Sequence, residues 1–313
     1  MSRKSKRKQK KLGKLLFSFL LLLILAATGY LYNEGYLPLP GTDTTAPSAL
    51  PVDGLLTVHY IDVGQADCTL LICDGEYLLI DGGENGDGDE VAAYLQALGV
   101  TKLDLVVGTH AHSDHIGGLD EVLELIPAEE VWYPEYRHVT KTESDFLAAA
   151  EAQGLAPLQP ELGATYALGD AVVTVLGPVE AKYSDENDTS IVLLVQFGST
   201  RFLFCGDASA PAEEDMLEYW DDSYFRADVL KVSHHGSQSS STTDFLAAID
   251  PAYGIISSGG EYGHPHQTTL DKLGDAEILI FRTDMLGSIV FVSDGTEIAQ
   301  PTWENTDKEP YIP

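Results

Sequence analysis

The sequence predicts an α/β (α+β) protein: a four-layer αββα sandwich preceded by one N-terminal transmembrane helix. Three observations predict it. A charge-free apolar run follows a basic block at the start, and short β-rich runs alternate with helical patterns from Leu55 onward. Polar clusters fall where apolar strands end, the place where open α/β sheets build their sites. With the first ~50 of the 313 residues set aside, enough chain remains for one large single-core domain.

The start of the chain is justified by charge and length. Eight of the 18 Lys and Arg residues lie within positions 1–14, a basic tail expected to stay in the cytoplasm. Residues 15–32, LLFSFLLLLILAATGYLY, carry no charged side chain. At a helical rise they span ~27 Å, close to the hydrocarbon thickness of a bilayer. A retained single-pass anchor is predicted, with the remainder of the chain outside the cell membrane. A cleaved signal peptide, cut near Ala26 to Gly29, is the alternative and would make the protein secreted. Positions 33–53 are rich in Pro, Gly and Thr and predict an extended linker. The folded body is expected over 54–300, with a C-terminal tail over 301–313.

Within the body, LTVHYIDVG, CTLLICDG and EYLLIDGG predict three strands separated by turn residues. GDEVAAYLQALGV has apolar residues at helical spacing, KLDLVVGTH is a buried strand, HIGGLDEVLELI a helix and EEVWYP a strand. A second half repeats the logic with DAVVTVLGP, TSIVLLVQFG, TRFLFCGD, ADVLKVSHHG, AYGIISSG, EILIFRT and GSIVFVSDG. The stretches TTDFLAAID and QTTLDKLGD predict helices between some of these strands.

Charge bounds the partners. Beyond position 14, ten cationic residues face 49 acidic ones, a formal charge near −39. Such a surface repels polyanions unless a basic cleft or bound cations intervene, and no basic, aromatic-interleaved patch is present. Cys68, Cys73 and Cys205 have neither a zinc-ribbon spacing nor a disulfide framework, and read as buried small hydrophobes.

The chemistry concentrates in THAHSDHIGG, residues 109–118. His110, His112, Asp114 and His115 fall within six positions directly after a buried strand. Imidazole and carboxylate suit zinc and similar divalent ions. His110 and His112 are expected to share one ion, while Asp114 and His115 reach a second. Gly117 and Gly118 let the following helix pack close to the site.

HxHxDH followed by Gly-Gly resembles the signature of the metallo-β-lactamase superfamily. YIDVGQADCTLL, LLIDGG, NDTSIVL, FLFCGD, LKVSHHGS, YGHP and FRTDMLG, in that order, resemble its ComEC-like branch over roughly residues 55–293. The polytopic channel and oligonucleotide-binding domain of ComEC are not seen in this sequence. The resemblance implies two divalent ions, zinc first and manganese second, and hydrolysis by a metal-bridging hydroxide. It implies Asp207 as the carboxylate bridging both ions. Either His234 or His235 completes the second ion's shell, with His235 preferred and the other a supporting or substrate contact. Asp81 marks the end of the LLIDGG strand.

The better-known β-lactamases supply a third histidine to the first metal from the interval before the bridging aspartate. Only His138 lies there, in a loop-like stretch, and it reads as a surface residue with a ligand role as the alternative. The first ion is then more open, or completed by Asn187 or solvent. Asp114 and His264 are the candidate catalytic residues, His264 as a proton donor or charge stabiliser. Asp284 is a candidate for orienting His264 or another ligand. His266 is expected to be exposed, and His59, mid-strand, to be a satisfied core side chain.

The implied function is a membrane-anchored, extracytoplasmic phosphodiesterase or nuclease acting on a phosphodiester substrate such as DNA. A cell-wall phosphodiesterase, acting on teichoic acid or phosphorylcholine, is the alternative enzyme. A non-catalytic binding protein on the same scaffold is the alternative of another class.

Overall fold

The computed structural model describes residues 52–135, 138–180 and 182–313. The predicted basic tail and anchor, and all but the end of the linker, lie outside them. Among the described residues no helix is long and apolar enough to cross a membrane.

The first half supplies strands β1 (Leu56–Tyr60), β2 (Thr69–Cys73), β3 (Glu76–Ile80), β4 (Leu103–Val107) and β5 (Ala128–Trp132). The second supplies β6 (Thr165–Leu168), β7 (Ala171–Gly177), β8 (Val192–Phe197), β9 (Thr200–Phe204), β10 (Val229–Lys231), β11 (Tyr253–Ile256) and β12 (Leu279–Arg282). Strands β13 (Ile289–Ser293) and β14 (Thr302–Trp303) follow. One sheet has the order β14-β13-β1-β2-β3-β4-β5 and the other β12-β11-β10-β9-β8-β7-β6.

Alternation along each strand assigns side chains to layers. Leu71 and Cys73 of β2 join Phe202 and Phe204 of β9 between the sheets, while Leu70 and Ile72 face the opposite way. That outer face is covered by α1 (Gly88–Ala97), the short α2 (Ser113–Ile116), α3 (Leu119–Leu125) and α4 (Lys141–Ala152). The outer face of the second sheet, with Leu203 and Leu230, lies under α5 (Ala210–Tyr219), α6 (Thr243–Ile249) and α7 (Gln267–Asp275). A final short helix, α8, spans Thr283–Leu286. Strands buried on both faces explain the near-continuous apolar runs. Each fully buried Leu or Phe contributes roughly 1.5–3 kcal/mol.

Three expectations need adjusting. GSIVFVSDG, expected with the second half, forms β13 and pairs antiparallel with β1 of the first sheet. An apolar strand carries no label for the sheet it joins. HIGGLDEVLELI is two helices, α2 and α3, because the backbone must bend where Gly117 and Gly118 pass the Gly82–Gly88 segment. A Cβ on Gly117 would stand 2.3 Å from the Asn85 nitrogen, and one on Gly118 2.3 Å from the Gly82 oxygen. Residues 301–313 add edge strand β14, and Tyr311 exchanges backbone hydrogen bonds with Ile280.

Candidate metal centre

The site is built from five chain segments at the ends of β3, β4, β9, β10 and β11. The β4 segment runs through Thr109 and His110 into α2, which carries Asp114 and His115. It is anchored by Asp81 at the end of β3. The Asp81 carboxylate accepts from the Thr109 backbone N–H and hydroxyl, both at 2.8 Å, and lies 2.8 Å from His115 Nδ1. Asp81 thus sets the tautomer and orientation of His115, leaving Nε2 to face inward.

Asp207, immediately after β9, is the centre of the arrangement. Its Oδ1 lies 3.2 Å from His115 Nε2 and 3.8 Å from His235 Nε2, and its Oδ2 lies 3.6 Å from His234 Nε2 and 4.0 Å from His110 Nε2. Asp114 Oδ2 is 3.3 Å from His235 Nε2, and His112 Nδ1 is 3.0 Å from His110 Nε2.

Electrostatics asks for positive charge here. Burial works against ionising Asp207, but His115 and His235 outweigh it and hold its carboxyl well below the usual range. Burial likewise opposes Asp114, yet the His235 imidazole 3.3 Å away and the charge of His115 bring it down to about 2. The carboxylates in turn overcome burial to raise His115, and to raise His235 to about 10. His110 is pushed well down by burial and by neighbouring His115.

The side chains fit divalent cations. Asp207 Oδ1, His115 Nε2 and His235 Nε2 are buried with no hydrogen-bond partner. An orphaned buried polar atom costs about 1–3 kcal/mol. Three facing one another are explained by an ion that takes all three lone pairs. Asp114, His115, Asp207 and His235 offer ligand atoms all within 4.8 Å of one another.

The remaining predicted residues are placed as follows. His264 lines the same cavity, its ring 5.5 Å from that of His234. Burial first, then the neighbouring imidazoles of His234, His235 and His266, lower it to about 4. Asp284 does not orient it: both Asp284 oxygens accept from Arg282, at 2.9 and 2.6 Å. The group beside His264 Nδ1 is instead Gln65 Nε2, at 3.4 Å, while Gln65 Oε1 accepts from Ser258, Gly259 and Glu261. Asn187 is buried in a short 3-10 turn; its backbone carbonyl accepts from Ser190, and its side-chain Oδ1 is buried with no hydrogen-bond partner. His138 is paired with Glu186, whose other oxygen is 3.3 Å from His112 Nε2, and its ring lies 6.1 Å from that of His112. His59 is fully buried, with Nδ1 bonded to the Tyr94 hydroxyl and Nε2 unpartnered, so it is a core residue satisfied on one side only.

Sequence reasoning missed two supporting groups. Glu186 sits behind His112 and His138. Lys231, on β10, is buried with its Nζ 2.8 Å from Asp67 Oδ2, and Asp67 Oδ1 is 3.4 Å from His235 Nδ1. A lysine at the end of an apolar strand was the available signal, since a fully buried Lys is almost always paired.

Comparison with known proteins identifies the family. Residues 61–260 match the family model described as metallo-beta-lactamase superfamily. The chain is 28% identical over 273 residues to ComE operon protein 3 of Bacillus subtilis (strain 168), covering 80% of this chain and 35% of that protein. It is 29% identical over 280 residues to Competence protein ComA of Neisseria gonorrhoeae, covering 87% and 37% respectively. The chain thus spans about a third of the length of these relatives. Among solved structures, the metallo-beta-lactamase fold protein YhfI from Bacillus subtilis superposes with a TM-score of 0.50 at 12% identity, covering 76% of this chain and 99% of that one. With its site at the strand ends of two facing sheets and its relatives among the competence proteins, the chain belongs to the metallo-beta-lactamase superfamily, as a metal-dependent hydrolase resembling the ComEC-like branch.

Proposed function

We propose that this protein is a binuclear phosphodiesterase of the ComEC-like type, held outside the cytoplasmic membrane by its N-terminal segment. The observation that carries the reading is the division of the two Asp207 oxygens between two sets of ligands. Two divalent cations, zinc or manganese, supply Lewis acidity and a nucleophile from water at neutral pH. The chain's own residues do the rest. His110 and His112 would hold one ion, and Asp114, His115 and His235 the other, with Asp207 common to both. His264, accepting from Gln65 at Nδ1, keeps its proton on Nε2 and offers it as a hydrogen bond to charge developing on the departing oxygen. The competence relatives favour a nucleic-acid substrate, single-stranded DNA first.

The cavity supports a second substrate reading. It holds about 530 Å³ and is lined by Glu84, Asp87, Asp114 and Glu261, with no Lys or Arg among its lining residues. The exposed ring of Tyr262 stands at its rim. Carboxylates beside an aromatic face repel a polyanion and suit a diester carrying an ammonium group. A cell-wall phosphodiester that bears choline, such as a phosphorylcholine group on teichoic acid, carries that ammonium.

One experiment tests both. The full chain in detergent, purified without chelator, is assayed for metals per chain and for hydrolysis of bis-p-nitrophenyl phosphate, p-nitrophenyl phosphorylcholine and single-stranded DNA. About two ions and a turnover lost in Asp114→Ala are expected. Activity on the choline ester tenfold above the others selects the cell-wall reading, and activity on DNA selects the nuclease. Absence of bound metal after zinc and manganese are supplied would sink both.

A further inference from the structure

We infer that the adjacent histidines His234 and His235 serve different metals. His235 completes the ion held by Asp114 and His115. His234 completes the ion held by His110 and His112, taking the place of the histidine that the chain before Asp207 does not supply. This rests on the binuclear reading above.

Distances argue for it first. A tetrahedral ion with bonds of ~2.0–2.1 Å sets its ligand atoms ~3.4 Å apart. Around Asp207 Oδ2 the separations are 3.6 Å to His234 Nε2 and 4.0 Å to His110 Nε2, with 3.0 Å between His110 Nε2 and His112 Nδ1. Around Oδ1 they are 3.2 Å to His115 and 3.8 Å to His235. On the Oδ1 side Asp114, His115, Asp207 and His235 all lie within 4.8 Å of one another, a closer group than the Oδ2 side forms, and His234 reaches Oδ2 on the side that is one ligand short.

The rear nitrogens argue for it second. A metal-binding imidazole is held at its other nitrogen by a fixed partner. Asp81 holds His115, the Ser257 carbonyl lies 3.0 Å from His235 Nδ1, and Glu186 lies behind His112. His234 fits the same pattern, with Nδ1 3.3 Å from Ser239 Oγ and Nε2 toward Asp207.

The backbone argues for it third. His234 and His235 both have φ of 53°, a left-handed conformation rare for residues with a Cβ, and Gly236 continues it at 82°. The turn brings both Nε2 atoms to one carboxylate, with the rings 6.2 Å apart and inclined at 75°. Strain of this kind persists where function demands it. Asn187, the candidate that the sequence offers for this position, has an amide oxygen, a harder donor than imidazole and less suited to zinc.

The test is metal binding to the full chain in detergent, stripped and reloaded with Mn²⁺, read by elemental mass spectrometry, titration calorimetry and electron paramagnetic resonance. Wild type should bind two ions with a spin-coupled spectrum. His234→Ala should keep one ion at near-wild-type affinity and show an uncoupled spectrum, while Asn187→Ala keeps both. Ser239→Ala, which removes the rear anchor together with a hydroxyl contact to Ser237, should weaken one ion by roughly 10- to 100-fold and serves if His234→Ala does not fold. Two tightly held, coupled ions in His234→Ala, or loss of both from a folded protein, would overturn the assignment. A wild type without metal would overturn the binuclear reading and the assignment together.

Discussion

Lys231 Nζ lies 2.8 Å from Asp67 Oδ2 with both side chains almost wholly buried, and Asp67 faces His235 with its other oxygen. Burial alone would raise Asp67, but Lys231 first and His235 second hold its carboxyl far below the usual range. The pair therefore fixes a negative charge behind a metal-facing imidazole, linking the core of the second sheet to the site.

Lys231→Met should leave that charge buried and uncompensated. A loss of about 3–5 kcal/mol is expected, the cost of breaking a buried pair from one side. Denaturant titration of the metal-free protein measures it. A loss under about 1 kcal/mol would mean that Asp67 simply takes up a proton.

Asp81→Asn should act on metal affinity more than on the fold. The amide keeps an acceptor for Thr109 but cannot hold a proton on His115 Nδ1 as a carboxylate does. Affinity for one ion should fall by roughly 10- to 100-fold. Calorimetry with zinc checks this, and an unchanged isotherm refutes it.

Much of this was legible in the sequence, and the reason is locality. His110, His112, Asp114 and His115 sit on one loop and one short helix, so their convergence needs no knowledge of the fold. The partners behind them come from far away: Lys231 is 164 residues from Asp67, and Glu186 lies on a turn of the other half of the chain. Nothing in a single stretch announces such pairs. The same limit explains β13, whose apolar alternation specifies a strand but not its neighbour, β1. Asp284 misleads through its place in the chain, since Arg282 two positions before it claims both its oxygens.

Metal removal should lower stability by mass action. A ligand present at 100 times its dissociation constant stabilises the folded state by about 2.7 kcal/mol per site. Chelation should therefore lower the melting temperature of wild type, and lower it far less in Asp207→Ala, which loses the group common to both ions. Equal shifts in the two proteins would place the bound metal elsewhere.

His59 offers a pH test far from the ligands. Burial lowers it to about 4, against 6.5 for an ordinary histidine. The folded protein thus binds fewer protons than the unfolded chain in that window. The sign follows: stability from this group is complete above pH 6.5 and is lost as pH falls toward 4. The loss approaches about 3 kcal/mol, since each tenfold weakening of proton binding in the fold is worth about 1.36 kcal/mol. Its Nδ1 bonds the Tyr94 hydroxyl, so His59→Phe is paired with Tyr94→Phe to leave no buried hydroxyl unpartnered. Other groups titrate in both proteins and cancel in the comparison. The double variant should show a shallower decline between pH 6.5 and 4 in denaturant titrations with chelator present. Parallel curves would mean that His59 is protonated in the fold, with its orphaned Nε2 reaching a partner on acidification.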